Sequence, residues 1–169
     1  MKKGIVIAGF SGIGKTMLGS KYENVVDLDS AEFAYDDSEM QNIPFEKRKG
    51  EDRKPNPLWP QNYINAIKDA QPKFDIVLVW DREDIINEYL KNNIDFTLCY
   101  PDEKSLKIYK ERYRQRGNTE KYVKWKTEQY STKMKYFSTL DIKKIVLHKN
   151  ETLEDYLKSQ NFNLKEKQR

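Results

Sequence analysis

The stretch GIVIAGFSGIGKT, residues 4–16, joins a short apolar run to a loop with glycine at positions 9, 12 and 14. An unbroken apolar run bounded by glycine is the pattern of a strand covered on both faces, since a half-exposed strand would alternate. After it, Gly9 and Gly14 are separated by four residues and are followed by Lys15 and Thr16, the full spacing of a phosphate-binding loop, or P-loop. Each residue type has a physical reason. Glycines let successive backbone N–H groups curl round phosphate oxygens with no Cβ in the way. The helix that follows turns its positive N-terminal end to the same anion. Lys15 has the reach for β- and γ-phosphates, and the Thr16 hydroxyl is a ligand for Mg²⁺. Gly9, Phe10, Ser11, Gly12, Ile13, Gly14, Lys15 and Thr16 are therefore the expected nucleotide-binding loop, with ATP and Mg²⁺ its expected ligands.

Further along the chain, apolar runs at 24–28 (NVVDL), 74–80 (FDIVLVW), 94–100 (IDFTLCY) and 144–147 (KIVL) read as four more strands. Between the runs, 3.6-residue periodicity predicts helices over 15–22, 60–70, 84–91, 102–116, 119–137 and 151–158. Strands alternating with helices mean βαβ units, hence an α/β protein built on a mostly parallel sheet with helices on both faces. Residues 30–59 fit neither period. About thirty irregular residues inside a compact domain read as a functional loop or a disordered one, and the position after the second strand favours function. The last residues, 163–169, read as a frayed end.

At 169 residues the chain has the length of one domain, taken as 1–169. No stretch approaches the apolar length of a membrane span. The basic start and short apolar run imitate a secretion signal, but the run ends in glycines and a lysine and not in a cleavage site. A single cysteine, Cys99, excludes an internal disulfide framework, and with a single histidine, His148, a Cys/His zinc site is excluded too. Cys99 sits in an apolar strand and reads as inert, and His148 has no partner in the sequence pattern. The expectation is a cytoplasmic protein, monomer or homodimer, away from membranes.

Net charge is +4, unevenly placed: residues 102–126 hold nine Lys/Arg against four Asp/Glu, leaving the remainder at −1. Such a segment suits an anionic ligand at that place. Within YKERYRQRG, Arg112 and Arg116 are four apart and share one side of a helix bordering the stripe Leu106, Tyr109 and Tyr113. Gly117-Asn118-Thr119 then breaks the helix, and Thr119 with Glu120 suits a new start. A paired-arginine helix end followed by a hinge is what a phosphate-closing lid requires, so Arg112 and Arg116 are candidate transfer-site groups.

The acids come from strand ends. FDIVLVWD places Asp81 where a metal-organising carboxylate would sit near Thr16. VVDLDS places Asp29 and Ser30 beside the loop strand, where Asp29 would orient an acceptor hydroxyl or reach metal through water. Arg82 is a candidate for holding acceptor phosphate, and Phe33 and Tyr35 for stacking on an acceptor base. Trp59, Tyr63 and Ile67, four apart, read as core with base stacking as the alternative, and Val123, Tyr130, Met134 and Phe137 read as core. A GTPase is excluded: Asp81-Arg82-Glu83-Asp84 lacks the glycine of D-x-x-G, and His148-Lys149-Asn150 lacks the spacing of N-K-x-D.

Taken together, GFSGIGKT, VVDLDS, IVLVWD and ERYRQRG resemble, in order and rough spacing, the nucleoside-monophosphate-kinase-like P-loop kinases. The chain is particularly similar to small phage- and prophage-encoded members, in which an NPLWPQNYI-like segment follows the acceptor loop. The resemblance spans nearly the whole chain and implies a three-layer α/β/α fold with a five-stranded parallel sheet in the order 2-3-1-4-5 and a helical lid. It further implies ATP·Mg²⁺ as donor and a nucleotide-like acceptor, with Lys15, Arg112 and Arg116 as transfer-site groups and Asp29 as an acceptor or metal residue. Where adenylate kinases carry a Phe-Pro-Arg-like segment after the third strand, this chain has Trp80-Asp81-Arg82.

Phosphoryl transfer to a nucleoside monophosphate, deoxynucleotides included, is the leading functional expectation. A kinase acting on a DNA hydroxyl, at a 5′ end or a modified base, is the second, with the basic 102–126 segment and Lys47, Arg48, Lys49, Arg53 and Lys54 tracking the phosphate backbone. A non-catalytic ATP-binding regulator is the third.

Overall fold

In the computed structural model, which describes residues 3–44, 47–48 and 51–168, the five apolar runs form one sheet. Its strands are β1 (Ile5–Gly9), β2 (Val25–Asp27), β3 (Ile76–Val79), β4 (Phe96–Pro101) and β5 (Lys143–Leu147). They lie in the order β2-β3-β1-β4-β5, every pair parallel. This is the expected fold class and the expected order. β1 is central, with Ile7 opposite Leu78 on one side and Thr97 on the other. Val6, Ile7, Ala8 and all four residues of β3 are at most 1% exposed. Beyond the exposed Ile5, neither face of these strands meets water, which is why their sequences run apolar without alternation.

Parallel neighbours need long crossovers, and helices supply them. Seven α-helices flank the sheet among the described residues: α1 (Lys15–Lys21), α2 (Ala31–Ala34), α3 (Gln61–Ala70), α4 (Glu83–Lys91), α5 (Leu106–Gln115), α6 (Glu120–Thr139) and α7 (Leu153–Ser159). Each long helix buries a stripe: Tyr63, Ile64, Ile67 and Ala70 on α3, Ile85, Ile86 and Tyr89 on α4, and Val123, Tyr130, Met134 and Phe137 on α6. One hydrophobic cluster runs through these stripes and the strands between them. Trp59, half-buried, stacks on Tyr63 at 5.4 Å between centroids. No helix among the described residues is long and apolar enough to cross a membrane.

The structure departs from the sequence expectations in four places. The helix expected over 102–116 begins only at Leu106, because the Asp102 side chain accepts from the Lys104 amide (3.1 Å) and holds Glu103–Ser105 in a 3₁₀ turn. The irregular 30–59 segment contains α2, a 3₁₀ turn at Ser38–Met40 and an antiparallel bridge between Tyr35 and Pro55. Its described part is tied together by Asp37, which takes hydrogen bonds from Arg48 and Arg53. Residues 45–46 and 49–50, Lys49 among them, lie outside the described residues. His148 does have a partner, its Nδ1 lying 2.9 Å from Asp102 Oδ2. Nor is the C-terminal stretch frayed up to residue 168; Arg169 lies outside the described residues. The Lys165 amide donates to Asn24 Oδ1 (2.9 Å), the Lys167 amide to the Lys21 carbonyl (2.9 Å), and Glu166 bridges Tyr22.

Candidate phosphate site and acceptor cleft

The glycine loop lies between β1 and α1, and its shape depends on backbone that side chains resist. Gly12 and Gly14 have φ of +95° and +101°. A Cβ at Gly12 would also come within 3.1 Å of the Tyr109 ring, so position 12 is closed to other residues on two counts. Phe10 and Ile13 point inward as anchors and are 2% and 0% exposed. Phe10 packs edge-on against Tyr109 and Tyr130.

From the other side, α5 braces the loop. The Tyr113 hydroxyl donates to the Ser11 carbonyl (2.9 Å). Arg112 donates to the Gly12 carbonyl (2.8 Å) and to both the carbonyl and Oδ1 of Asn150 (3.0 Å each), with its guanidinium 4.5 Å from the Tyr109 ring centroid. These partners are backbone carbonyls and an amide, so Arg112 holds the shape of the loop.

Lys15 is half-buried and donates to the Gly9 carbonyl. Burial pulls its pKa down, against the opposing pull of the Asp81 and Asp27 carboxylates. The Thr16 hydroxyl donates to Asp27 Oδ2 at 3.3 Å. Burial pushes the Asp27 carboxyl up, and the nearby Lys15 charge counters it. In front of these groups opens a cavity of about 410 Å³, whose walls include Lys15, Thr16, Asp27, Asp29, Ser30, Tyr35, Arg53, Trp80, Arg116, Tyr122, Trp125 and Lys126. A second cavity of about 660 Å³ shares Thr16, Asp27, Asp29 and Arg116 and continues along β2 to Phe74 and Lys167.

Of the residues expected in the nucleotide and acceptor sites, Ser11, Gly12, Lys15, Thr16, Asp29, Ser30, Tyr35 and Arg116 thus meet at one cavity. Others do not reach it. Asp81, 1% exposed, pairs with Lys133 of α6 at 3.0 Å, and its Oδ2 has no hydrogen-bond partner among the described residues. Arg82 turns to Asp84 (Nε–Oδ1 2.6 Å) and lies 4.3 Å from the Trp80 ring centroid. Phe33 packs against Tyr63 at 5.2 Å, whereas Tyr35 faces the cavity. The Tyr63 hydroxyl donates to the Leu28 carbonyl (2.8 Å) and accepts from the Trp80 amide (3.0 Å), tying the ends of β2 and β3 together under the site.

No protein-family model matches the chain, and no curated protein matches it in sequence.

The acid beside Thr16 is therefore Asp27, whereas the sequence pattern offered Asp81 and Asp29 for that place. The signal was present: a strand has period two, so in VVDLD positions 27 and 29 face the same way. Among the described residues no group of three or more His, Cys, Asp or Glu side chains is gathered closely enough to hold a metal by themselves. Mg²⁺ asks for less. It keeps several waters and takes one or two protein oxygens together with substrate phosphates, a demand that Thr16 and Asp27 fit.

Proposed function

We propose that this chain is an ATP-dependent phosphotransferase whose acceptor is a nucleoside monophosphate, deoxynucleotides included. One observation carries the reading: Lys15, the Thr16–Asp27 pair and Arg116 converge on a single cavity of about 410 Å³ beside the glycine loop. An acceptor phosphate oxygen attacks the γ-phosphorus, the bond from that phosphorus to the β,γ-bridging oxygen breaks, and ADP leaves. Little covalent work falls to the protein, so positioning and charge neutralisation carry the rate. The loop amides and Lys15 hold the β- and γ-phosphates, and Thr16 and Asp27 would hold Mg²⁺, which supplies further neutralisation when bound. Arg116, at the end of α5, meets charge on the transferring group, while α5 itself stays braced on the glycine loop through Tyr113 and Arg112.

A hydroxyl acceptor, on DNA or on a modified base within it, is the second reading, and a specific observation favours it. Asp27 and Asp29 both face the cavity, and a carboxylate repels an acceptor phosphate but accepts a proton from a hydroxyl. ADP formation from ATP·Mg²⁺, measured against ribo- and deoxynucleoside monophosphates, nucleosides and duplex DNA, tests both. Stimulation by a monophosphate, abolished in Lys15→Ala, is the expected outcome. Stimulation by DNA alone transfers the reading to the hydroxyl kinase. ATP binding without turnover against any acceptor overturns catalysis and leaves a nucleotide-binding regulator.

A further inference from the structure

The helix α6 has a second patterned face besides its core stripe. Tyr122, Trp125 and Lys126 follow the i, i+3, i+4 spacing that aligns side chains on one side of a helix. Trp125 is two positions from buried Val123, roughly 200° round the helix axis, and remains 50% exposed. A tryptophan kept out of the core and set in a cavity wall calls for an explanation that packing does not supply. Its ring lies 5.9 Å from that of Tyr122, and the Lys126 ammonium lies 5.0 Å from the Trp125 centroid and 5.8 Å from that of Tyr122. The same cavity is lined by Tyr35 from the loop after β2, with the Arg53 guanidinium 4.4 Å from its ring centroid, and by Trp80 from the end of β3.

A cleft that recognised phosphate alone would need cations and amides and nothing flat. Four aromatic side chains from three parts of the chain, with Arg116 and Lys126 beside them, match instead a flat heteroaromatic base joined to an anion. We propose that Trp125, with Tyr122 behind it, is the stacking platform for the base of the acceptor nucleotide, and that Lys126 and Arg116 receive its phosphate. The inference rests on the reading of this cavity as the acceptor side. It commits to a single mononucleotide, because about 410 Å³ falls in the ordinary range of small-molecule sites.

Calorimetric titration of the full chain with AMP, GMP, CMP, UMP and dTMP, and with ribose 5-phosphate as a base-free probe, tests it in wild type, Trp125→Ala and Trp125→Phe. At least one monophosphate should bind wild type and lose about tenfold or more in affinity in Trp125→Ala. Most of that loss should return in Trp125→Phe, while ATP binding stays equal in all three proteins and ribose 5-phosphate binds weakly and equally. Equal binding of the monophosphate to wild type and Trp125→Ala overturns the platform and leaves the acceptor reading standing. An equal loss for ribose 5-phosphate also overturns it, because the base then plays no part. If no monophosphate binds wild type, the platform and the monophosphate acceptor fall together.

Discussion

At the scale of single residues the ammonium of Lys15 sets the tension in this site. It is half-buried among Asp27, Asp81 and Lys133, and burial outweighs the two carboxylates, so its pKa in the fold lies below the ordinary 10.5. Without an anion the charged form therefore costs folding free energy, a cost that the triphosphate of the proposed function would relieve. The folded state binds this proton less tightly than the unfolded state does, so nucleotide-free stability should rise with pH from the folded pKa towards 10.5. Lys15→Met should flatten that slope and raise the nucleotide-free Tm at pH 7 by about 2–4 °C, while the stabilisation of wild type by ATP·Mg²⁺ disappears. Thermal unfolding with and without nucleotide measures both, and a lower nucleotide-free Tm in the variant would contradict the account. Lys15 and Thr16 were legible from the glycine spacing alone. Asp27 was not singled out, although the period of the strand marks it beside Asp29, because a choice between two acids on one strand needs to know which lies level with Thr16.

At the scale of elements, the contact between α5 and the glycine loop decides what the paired arginines do. Helical spacing puts Arg112 and Arg116 on one side of the helix, and in the fold they separate in role: Arg116 lines the cavity, and Arg112 braces the loop through Gly12 and Asn150. Arg112→Ala should lower stability by about 1–3 kcal/mol and weaken ATP binding. Arg112→Lys should recover little, because an ammonium lacks the fork that reaches both partners. Denaturant unfolding and ATP titration check this. A fall in kcat with stability and ATP affinity unchanged would instead put Arg112 on the transferring phosphate. The strands and long helices were readable because burial imposes a period on each of them. The start of α5 and the order within 30–59 were not, since both depend on individual polar side chains, Asp102 in one case and Asp37 in the other.

At the scale of the whole molecule, Glu154 of α7 joins the last helix to the first. It accepts from Lys21 (2.8 Å) and from the Tyr22 hydroxyl at the end of α1, and it pairs with Lys158 at 3.0 Å. These partners hold its pKa down to about 2 from an ordinary 4.5. A carboxyl depressed in this way adds stability that is complete above its unfolded pKa and is lost as pH falls through the folded one. Glu154→Gln should therefore cost about 1–2 kcal/mol at neutral pH, less than the full shift implies because solvent screens the site. The variant should also lose less stability than wild type between pH 5 and pH 2 (about the span of the two pKa values). Denaturant unfolding across that range measures it, and parallel pH curves would refute the role given to Glu154.

What the sequence determined by itself was whatever is written locally: the glycine loop and its lysine, the buried strands and the helices alternating with them, and the overall α/β class. Covalent spacing and periodic burial act within a dozen residues, so one chain read in order suffices for them. Tertiary structure decided which distant side chains meet. It set Asp27 and not Asp81 beside Thr16, gave Asp81 to Lys133 and His148 to Asp102, brought residues 163–168 against α1 and β2, and turned Tyr122 and Trp125 of α6 towards Tyr35 and Trp80. Each of these is a contact across many residues of chain, and its partner is chosen by the packing of the sheet and helices that carry it.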